Sequence, residues 1–144
     1  MRKKIYIVIL ILILLLCFPP KVFADQTNTI FYYDLQNGQT KLFQEKLNFH
    51  GDFPKSQIAF IIFDNLFCQQ KMFIPQGSHL ISARIENETL ILNLSSQIKN
   101  YGGSYFEKHL LSQIKLTAQN LNFDHFSILI DNQKQYLPEG IDQL

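Results

Sequence analysis

Residues 74–130 read IPQGSHLISARIENETLILNLSSQIKNYGGSYFEKHLLSQIKLTAQNLNFDHFSILI, and this stretch decides the fold. Its first half alternates apolar and polar residues over 79–86 and puts leucines at every second position over 89–94. Asn87 and Glu88 separate the two runs at a point where the chain is expected to turn. The sequence therefore predicts a β-hairpin at the start of this stretch.

A helix is predicted after Gly102 and Gly103, which let the chain reverse direction. Ser104 and, three residues later, Glu107 fit a capping box, in which each side chain satisfies a free amide at the start of a helix. A core-facing stripe with helical spacing then runs through Phe106, Leu110, Leu111, Ile114, Thr117, Ala118 and Leu121. A final strand is predicted over 126–130, where apolar residues alternate again.

Upstream of this stretch the sequence predicts another hairpin. Residues 29–34 are rich in β-branched and aromatic side chains, and residues 40–49 resume an alternating pattern. Asn37 and Gly38 lie between the two runs, and this dipeptide is one of the strongest signals for a tight turn between antiparallel strands.

Another helix is predicted to follow this hairpin and to run to about residue 69. Asp52 is placed to cap it, and Pro54 suits its first turn. Its apolar stripe is predicted to consist of Ile58, Ile61, Ile62 and Leu66. Three aromatic residues lie largely off that stripe: Phe60, Phe63 and Phe67. A helix that is apolar on more than one side is either deeply covered or presents aromatic side chains to a partner, so at least one of these three is expected to face outward at a partner interface.

The predicted order of elements is ββα-ββ-αβ, which indicates an α+β fold. Two amphipathic helices on one face of a small mixed or antiparallel sheet, a two-layer sandwich, is the simplest way to bury both stripes. Residues 25–144 are expected to form a single domain, because a chain of about 120 residues is long enough to build one hydrophobic core.

Three short motifs within the deciding stretch resemble those of the GerMN domain family of sporulation and spore germination. They are a Pro-x-Gly turn, an Asn-x-Ser strand end and a Gly-Gly-Ser helix start. In this sequence they fall at Pro75, Gly77, Asn93, Ser95, Gly102, Gly103 and Ser104. The order and spacing of the motifs carry the resemblance, since each motif alone is common in turns and loops.

The resemblance implies an extracytoplasmic module of the cell envelope rather than an enzyme. Family members help to hold envelope complexes together, and their fold is similar to the ring-building motifs of secretion-like assemblies. It therefore implies protein partners in the envelope, which include further copies of the chain, and no cofactor. An alternative is a module that binds a cell-wall fragment or another small ligand between the glycine loop and the turn at 74–77. A hydrolase with a dispersed site is a third possibility.

Residues 1–24 are predicted to be a signal peptide and not part of the fold. Three basic residues, Arg2, Lys3 and Lys4, precede an apolar run over 5–18, and the small-residue site at 22–24 suits cleavage before Asp25. An uncleaved membrane anchor is the alternative, and it would be the only part of the chain in contact with the membrane. Cys17 follows three leucines and lacks the small residue that lipidation requires.

Composition excludes some functions for the chain after residue 24. This part holds nine basic and twelve acidic residues, a formal net charge of −3, so it is not expected to bind nucleic acid. Cys68 is its only cysteine, which leaves no internal disulfide, and the apolar pattern around Cys68 predicts a buried side chain.

No set of residues in the sequence predicts a catalytic, cofactor-binding or metal site. The four histidines occur singly, at His50, His79, His109 and His125, whereas metal ligands on one element normally come in spaced pairs. Ser104 follows two glycines, but it does not match the Gly-x-Ser-x-Gly pattern of an exposed nucleophile. Phosphate-binding and dinucleotide-binding glycine motifs do not occur in the sequence either.

Overall fold

A computed structural model of the chain describes residues 25–140, so the signal peptide predicted over 1–24 lies outside the described residues. Two helices and two small sheets form an α+β fold, which confirms the predicted class. In chain order the elements are β1 (Asp25–Gln36), β2 (Gln39–His50), α1 (Lys55–Cys68), β3 (Leu80–Glu86), β4 (Thr89–Leu94), a 3₁₀ turn (Ser96–Lys99), α2 (Ser104–Asn120) and β5 (Phe126–Ile130). The predicted order ββα-ββ-αβ is confirmed.

The strands divide between two sheets rather than forming one. β1 and β2 make an antiparallel pair of their own, and β3, β4 and β5 make a mixed sheet in that order. β4 and β5 run parallel because α2 carries the chain back across the sheet between them. The mixed character of the larger sheet matches one of the two arrangements that the sequence allowed.

Both hairpins turn where the sequence predicts. Asn37 and Gly38 both have positive φ, as the tightest hairpin turn requires, and Asn87 and Glu88 repeat this conformation between β3 and β4. β1 and β2 pair without a break from Asp25 opposite His50 to Gln36 opposite Gln39. The first hairpin is therefore a long, regular ribbon.

α1 begins at Lys55 with Pro54 at its cap position and no side-chain hydrogen bond at that end. The predicted cap by Asp52 is therefore wrong. Pro54, two residues beyond Asp52, has an extended backbone and occupies the cap position, and its carbonyl accepts hydrogen bonds from the amides of Gln57 and Ile58.

The buried side of α1 is broader than the predicted stripe because the helix packs against both β3 and β1. Two neighbouring columns of side chains are buried, at Ile58, Ala59, Ile62, Phe63, Leu66 and Phe67. Leu110, Ile114 and Ala118 of α2 and alternate residues of β4 and β5 join the same core. One continuous hydrophobic core therefore holds the two sheets and the two helices together.

Candidate functional site

The turn at Pro75 and the end of β4 are joined by hydrogen bonds. The Ser78 amide donates to the Pro75 carbonyl at 3.0 Å, and Gly77 has the positive φ of +81° that this turn needs. The His79 amide donates to the Ser95 hydroxyl oxygen at 3.2 Å, while the Ser95 amide donates to the His79 carbonyl. Three of the motif residues thus act together in fixing this end of the sheet.

Asn93 is buried and holds the turn that follows β5. Its side-chain carbonyl accepts from the Asn132 amide at 2.8 Å, and its NH₂ group donates to the Asn132 side-chain oxygen at 2.9 Å. The Asp131 amide donates to the Leu94 carbonyl beside them. The polar groups of Asn93 are directed at the protein itself, so this motif residue has a structural task.

The glycine loop starts α2 in a way that differs from the predicted capping box. Gly103, with φ of 93°, occupies the cap position, Ser104 is the first helical residue, and no side chain caps this end. The side chain of Glu107 is fully buried, where it accepts hydrogen bonds from the Tyr101 hydroxyl at 2.6 Å and the Glu139 amide at 2.8 Å. The prediction that Ser104 and Glu107 cap the helix is wrong because Glu107 points into the core.

This buried carboxylate ties the C-terminal segment to the start of α2. The Gly103 amide donates to the Glu139 side chain at 2.9 Å, so residues from both segments bond to each other. Burial, followed by the hydrogen bond to Glu107, raises the pKa of Tyr101 above its ordinary value. Tyr101 donates its hydroxyl proton to Glu107, and the network links the C-terminal segment to the start of α2.

Gly103→Ala is expected to lower the free energy of unfolding by roughly 1 to 3 kcal/mol, because φ of 93° strains any residue with a Cβ atom. A Cβ at either glycine would meet no atom within 4 Å, so backbone strain alone is tested. Gly102→Ala is the matched control, since Gly102 does not have positive φ. Equal urea midpoints for the two variants would contradict this account of the loop.

The three aromatic residues of α1 have different surroundings. Phe63 and Phe67 are fully buried in the core, on the wide buried side of α1, so these two of the three candidate interface residues are not at a surface. Phe60 is 36% exposed on the outer side of the helix, and its role as a partner contact stays a prediction. Cys68 is exposed as well, which corrects the predicted burial of its side chain.

The four histidines lie on different elements or loops of the fold. Within residues 25–140, no three His, Cys, Asp or Glu side chains are grouped so that they could hold a metal ion. His109 packs among aromatic rings, with its ring centre 4.5 Å from Phe73, 4.3 Å from Tyr105 and 4.7 Å from Tyr33. Its Nδ1 atom lies 2.7 Å from the Tyr105 carbonyl oxygen, and these contacts account for the ring as part of the packing.

A row of polar side chains on α2 bonds to the edge of β1 that faces away from β2. The sequence-based predictions did not include this row. The amides of Thr29, Phe31 and Tyr33 donate to side-chain oxygens of Asn120, Thr117 and Gln113, at 2.7, 3.1 and 3.2 Å. These acceptors occur at helical spacing of three and four residues, so they form one row along the helix. Gln113 and Asn120 lie beside the predicted apolar stripe and Thr117 lies within it, and this helical spacing was the available signal.

Gln113 links three parts of the molecule and is fully buried. Besides accepting from Tyr33, its side-chain NH₂ group donates to the Phe73 carbonyl at 3.1 Å. The row attaches the separate hairpin to the rest of the domain through backbone groups, which would otherwise lie unsatisfied at a strand edge.

No helix within residues 25–140 is long and apolar enough to span a membrane. Within residues 25–140, the candidate functional features are the exposed side chain of Phe60, the glycine loop and the hairpin.

Comparison with known proteins links this chain to one family. The model of the Germane family, described as sporulation and spore germination, matches residues 29–136. Among curated proteins, none matches the sequence.

Two solved structures align with much of this chain. The tandem GerMN domains of the sporulation protein GerM from Bacillus subtilis are 18% identical, with a TM-score of 0.56 over 81% of this chain and 43% of that chain. The crystal structure of a candidate lipoprotein from Clostridium perfringens is 19% identical, with a TM-score of 0.49 over 76% of this chain and 77% of that chain. The chain thus spans less than half the length of the tandem protein.

Proposed function

Since the chain belongs to the Germane family of sporulation and spore germination domains, we propose that it is a non-enzymatic module that helps to assemble or stabilise an envelope protein complex. The observation that carries the proposal is the family match over residues 29–136, which includes both helices, the second hairpin and most of the first. The fold shared with the tandem GerMN domains of a sporulation protein supports the same role. The signal segment predicted over 1–24 would place the module outside the cytoplasmic membrane.

The motif residues support a scaffold rather than a catalyst. Asn93, Ser95 and Gly103 bond to neighbouring turns and to the C-terminal segment. Because these groups are used to hold the domain together, the proposal assigns partner recognition to exposed side chains. Phe60 is one of them, a large apolar side chain on the outer side of α1.

Phe60→Ser is expected to reduce partner recovery several-fold while leaving the thermal midpoint nearly unchanged, because an exposed aromatic residue contributes more to association than to folding. The measurement is quantitative mass spectrometry of proteins crosslinked in the host to the full chain carrying a C-terminal tag. Gln57→Ser is the matched control, since Gln57 is an exposed residue of the same helix. Unchanged recovery with Phe60→Ser would remove this contact from the proposal.

Histidine substitutions assayed in the same host distinguish a scaffold from an enzyme. His50→Ala and His125→Ala are expected to leave the biological activity intact, because neither histidine has a catalytic task in the proposal. Loss of activity in either folded variant, with the envelope partners still recovered, would overturn the non-enzymatic role. Retention of the purified chain on cell-wall fragments, without protein partners, would favour the ligand-binding module instead.

A further inference from the structure

The hairpin has two long edges, and within residues 25–140 only the edge of β1 has backbone groups that are bonded to the rest of the domain. Because the amides of Thr29, Phe31 and Tyr33 point to α2, the odd-numbered residues of β1 direct their backbone groups away from β2. The register of the pair then fixes the other edge: the even-numbered residues of β2, from 40 to 48, direct their backbone groups outward on the far side.

The outer edge of β2 has no backbone partner among residues 25–140. The hairpin is a sheet of two strands, and no hydrogen bond between backbone groups elsewhere in the described chain involves residues 40–48. β2 holds neither proline nor bulge, the usual features that prevent a strand edge from pairing. Leu42 is 47% exposed on this strand. This is a long, regular edge that is open to another strand.

We propose that the outer edge of β2 pairs antiparallel with the same edge of a second copy of the chain, about a two-fold axis at Phe43. Two hairpins would then form one continuous four-stranded sheet, ordered β1, β2 and the partner's β2 and β1. The proposal goes beyond the assembly role above, because it concerns the chain alone and holds whether or not other envelope proteins bind Phe60.

Charge complementarity selects both the occupant and the register. With Phe43 opposite itself, Lys41 faces the second copy's Glu45, and the two-fold axis produces this opposite-charge pair twice. A two-fold axis at Lys41, Glu45 or Lys46 would place like charges directly opposite each other, which is unfavourable. An axis at Leu42 or Gln44 would leave Lys41 opposite an apolar residue.

The side chains around Phe43 suit this axis. Phe43 is half-buried and stacks on Tyr32 of its own hairpin, with ring centres 5.7 Å apart, so the two copies would bring four aromatic rings together. Glu45 accepts a hydrogen bond from Gln69 at 2.8 Å, which holds its carboxylate beside the strand. Lysines on an edge strand normally discourage pairing, but in this register Lys41 meets a carboxylate and Lys46 meets the neutral Thr40.

The first test is a charge exchange in the full chain, measured by sedimentation velocity across concentration. The wild-type chain is expected to show a concentration-dependent dimer. Lys41→Glu and Glu45→Lys should each weaken dimerisation at least tenfold, because each creates two like-charge pairs, and the double exchange should restore it. Lys46→Glu is the control, with the same change in charge as Lys41→Glu on the same edge but no charged residue opposite.

The second test is a disulfide across the axis. Residues directly opposite each other at a non-hydrogen-bonded position have Cα atoms about 4.5 Å apart, a separation that a disulfide can bridge. Phe43→Cys, with Cys17 and Cys68 changed to serine, is therefore expected to form covalent dimers under mild oxidation. Lys46→Cys in the same background should not, because the axis separates the two copies of that residue.

Three results would overturn the proposal. They are a chain that stays monomeric at every concentration, a dimer that Lys41→Glu does not weaken, and a dimer that Phe60→Ser abolishes while the charge variants do not. The charge exchange keeps the test decisive if Phe43→Cys fails to fold. A monomer that still recovers envelope partners would refute the strand pairing and leave the proposed function intact.

Discussion

Phe63→Ala is expected to lower the free energy of unfolding by about 3 to 5 kcal/mol, as truncation of a fully buried aromatic side chain does in other cores. The phenyl ring lies on the side of α1 that packs against β3 and β1, so its removal leaves a cavity between the two sheets. Urea unfolding followed by far-ultraviolet circular dichroism measures the change.

Phe60→Ala is the matched control for this prediction. The same truncation three residues earlier on the same helix should cost clearly less than Phe63→Ala, since 36% of Phe60 is already exposed to solvent. Equal losses at the two positions would mean that α1 faces the core with a different side than the structure shows.

The elements that sequence analysis predicted correctly are those set by local residues. Asn37 and Gly38 adopt positive φ, a conformation that this dipeptide favours locally. The turn and the strand pairing around it therefore follow from the dipeptide. The apolar stripe of α2 likewise predicts the side of the helix that holds Leu110, Ile114 and Ala118 in the core.

The division into two sheets depends on contacts between residues far apart in the chain. The pattern of residues 29–49 does not indicate that their hairpin will form a sheet separate from that of β3, β4 and β5. The hairpin is held instead by amides of β1 that meet Thr117 and Gln113, more than 75 residues away. Because α1 then lies between two sheets, it buries a second column of side chains that includes Phe63 and Phe67.

The predicted capping box failed for a similar reason. Ser104 and Glu107 have the right spacing for it, and the local pattern gives no sign that the Glu139 amide will reach the start of α2. Tyr101 is a second donor, so the Glu107 carboxylate accepts two hydrogen bonds in the core instead of one at the end of the helix. As a result, Gly103 and not Ser104 occupies the cap position of α2.

Gln113 connects the hairpin to the domain, and its loss is the most direct test of that connection. The side chain satisfies the Tyr33 amide and the Phe73 carbonyl from a fully buried position. Removing one partner leaves each backbone group without its hydrogen bond at a cost of about 1 to 3 kcal/mol. The structure thus assigns a large stabilising role to a residue type that is usually found at the surface.

Gln113→Ala is therefore expected to lower the free energy of unfolding by about 2 to 5 kcal/mol, measured by urea denaturation. Gln113→Leu, which nearly keeps the volume, should also destabilise the fold, because the two backbone groups still lack partners. Gln119→Ala, at an exposed position of the same helix, should change stability by less than about 0.5 kcal/mol. A neutral Gln113→Leu variant would contradict the polar attachment, since it would show that apolar packing alone holds β1 against α2.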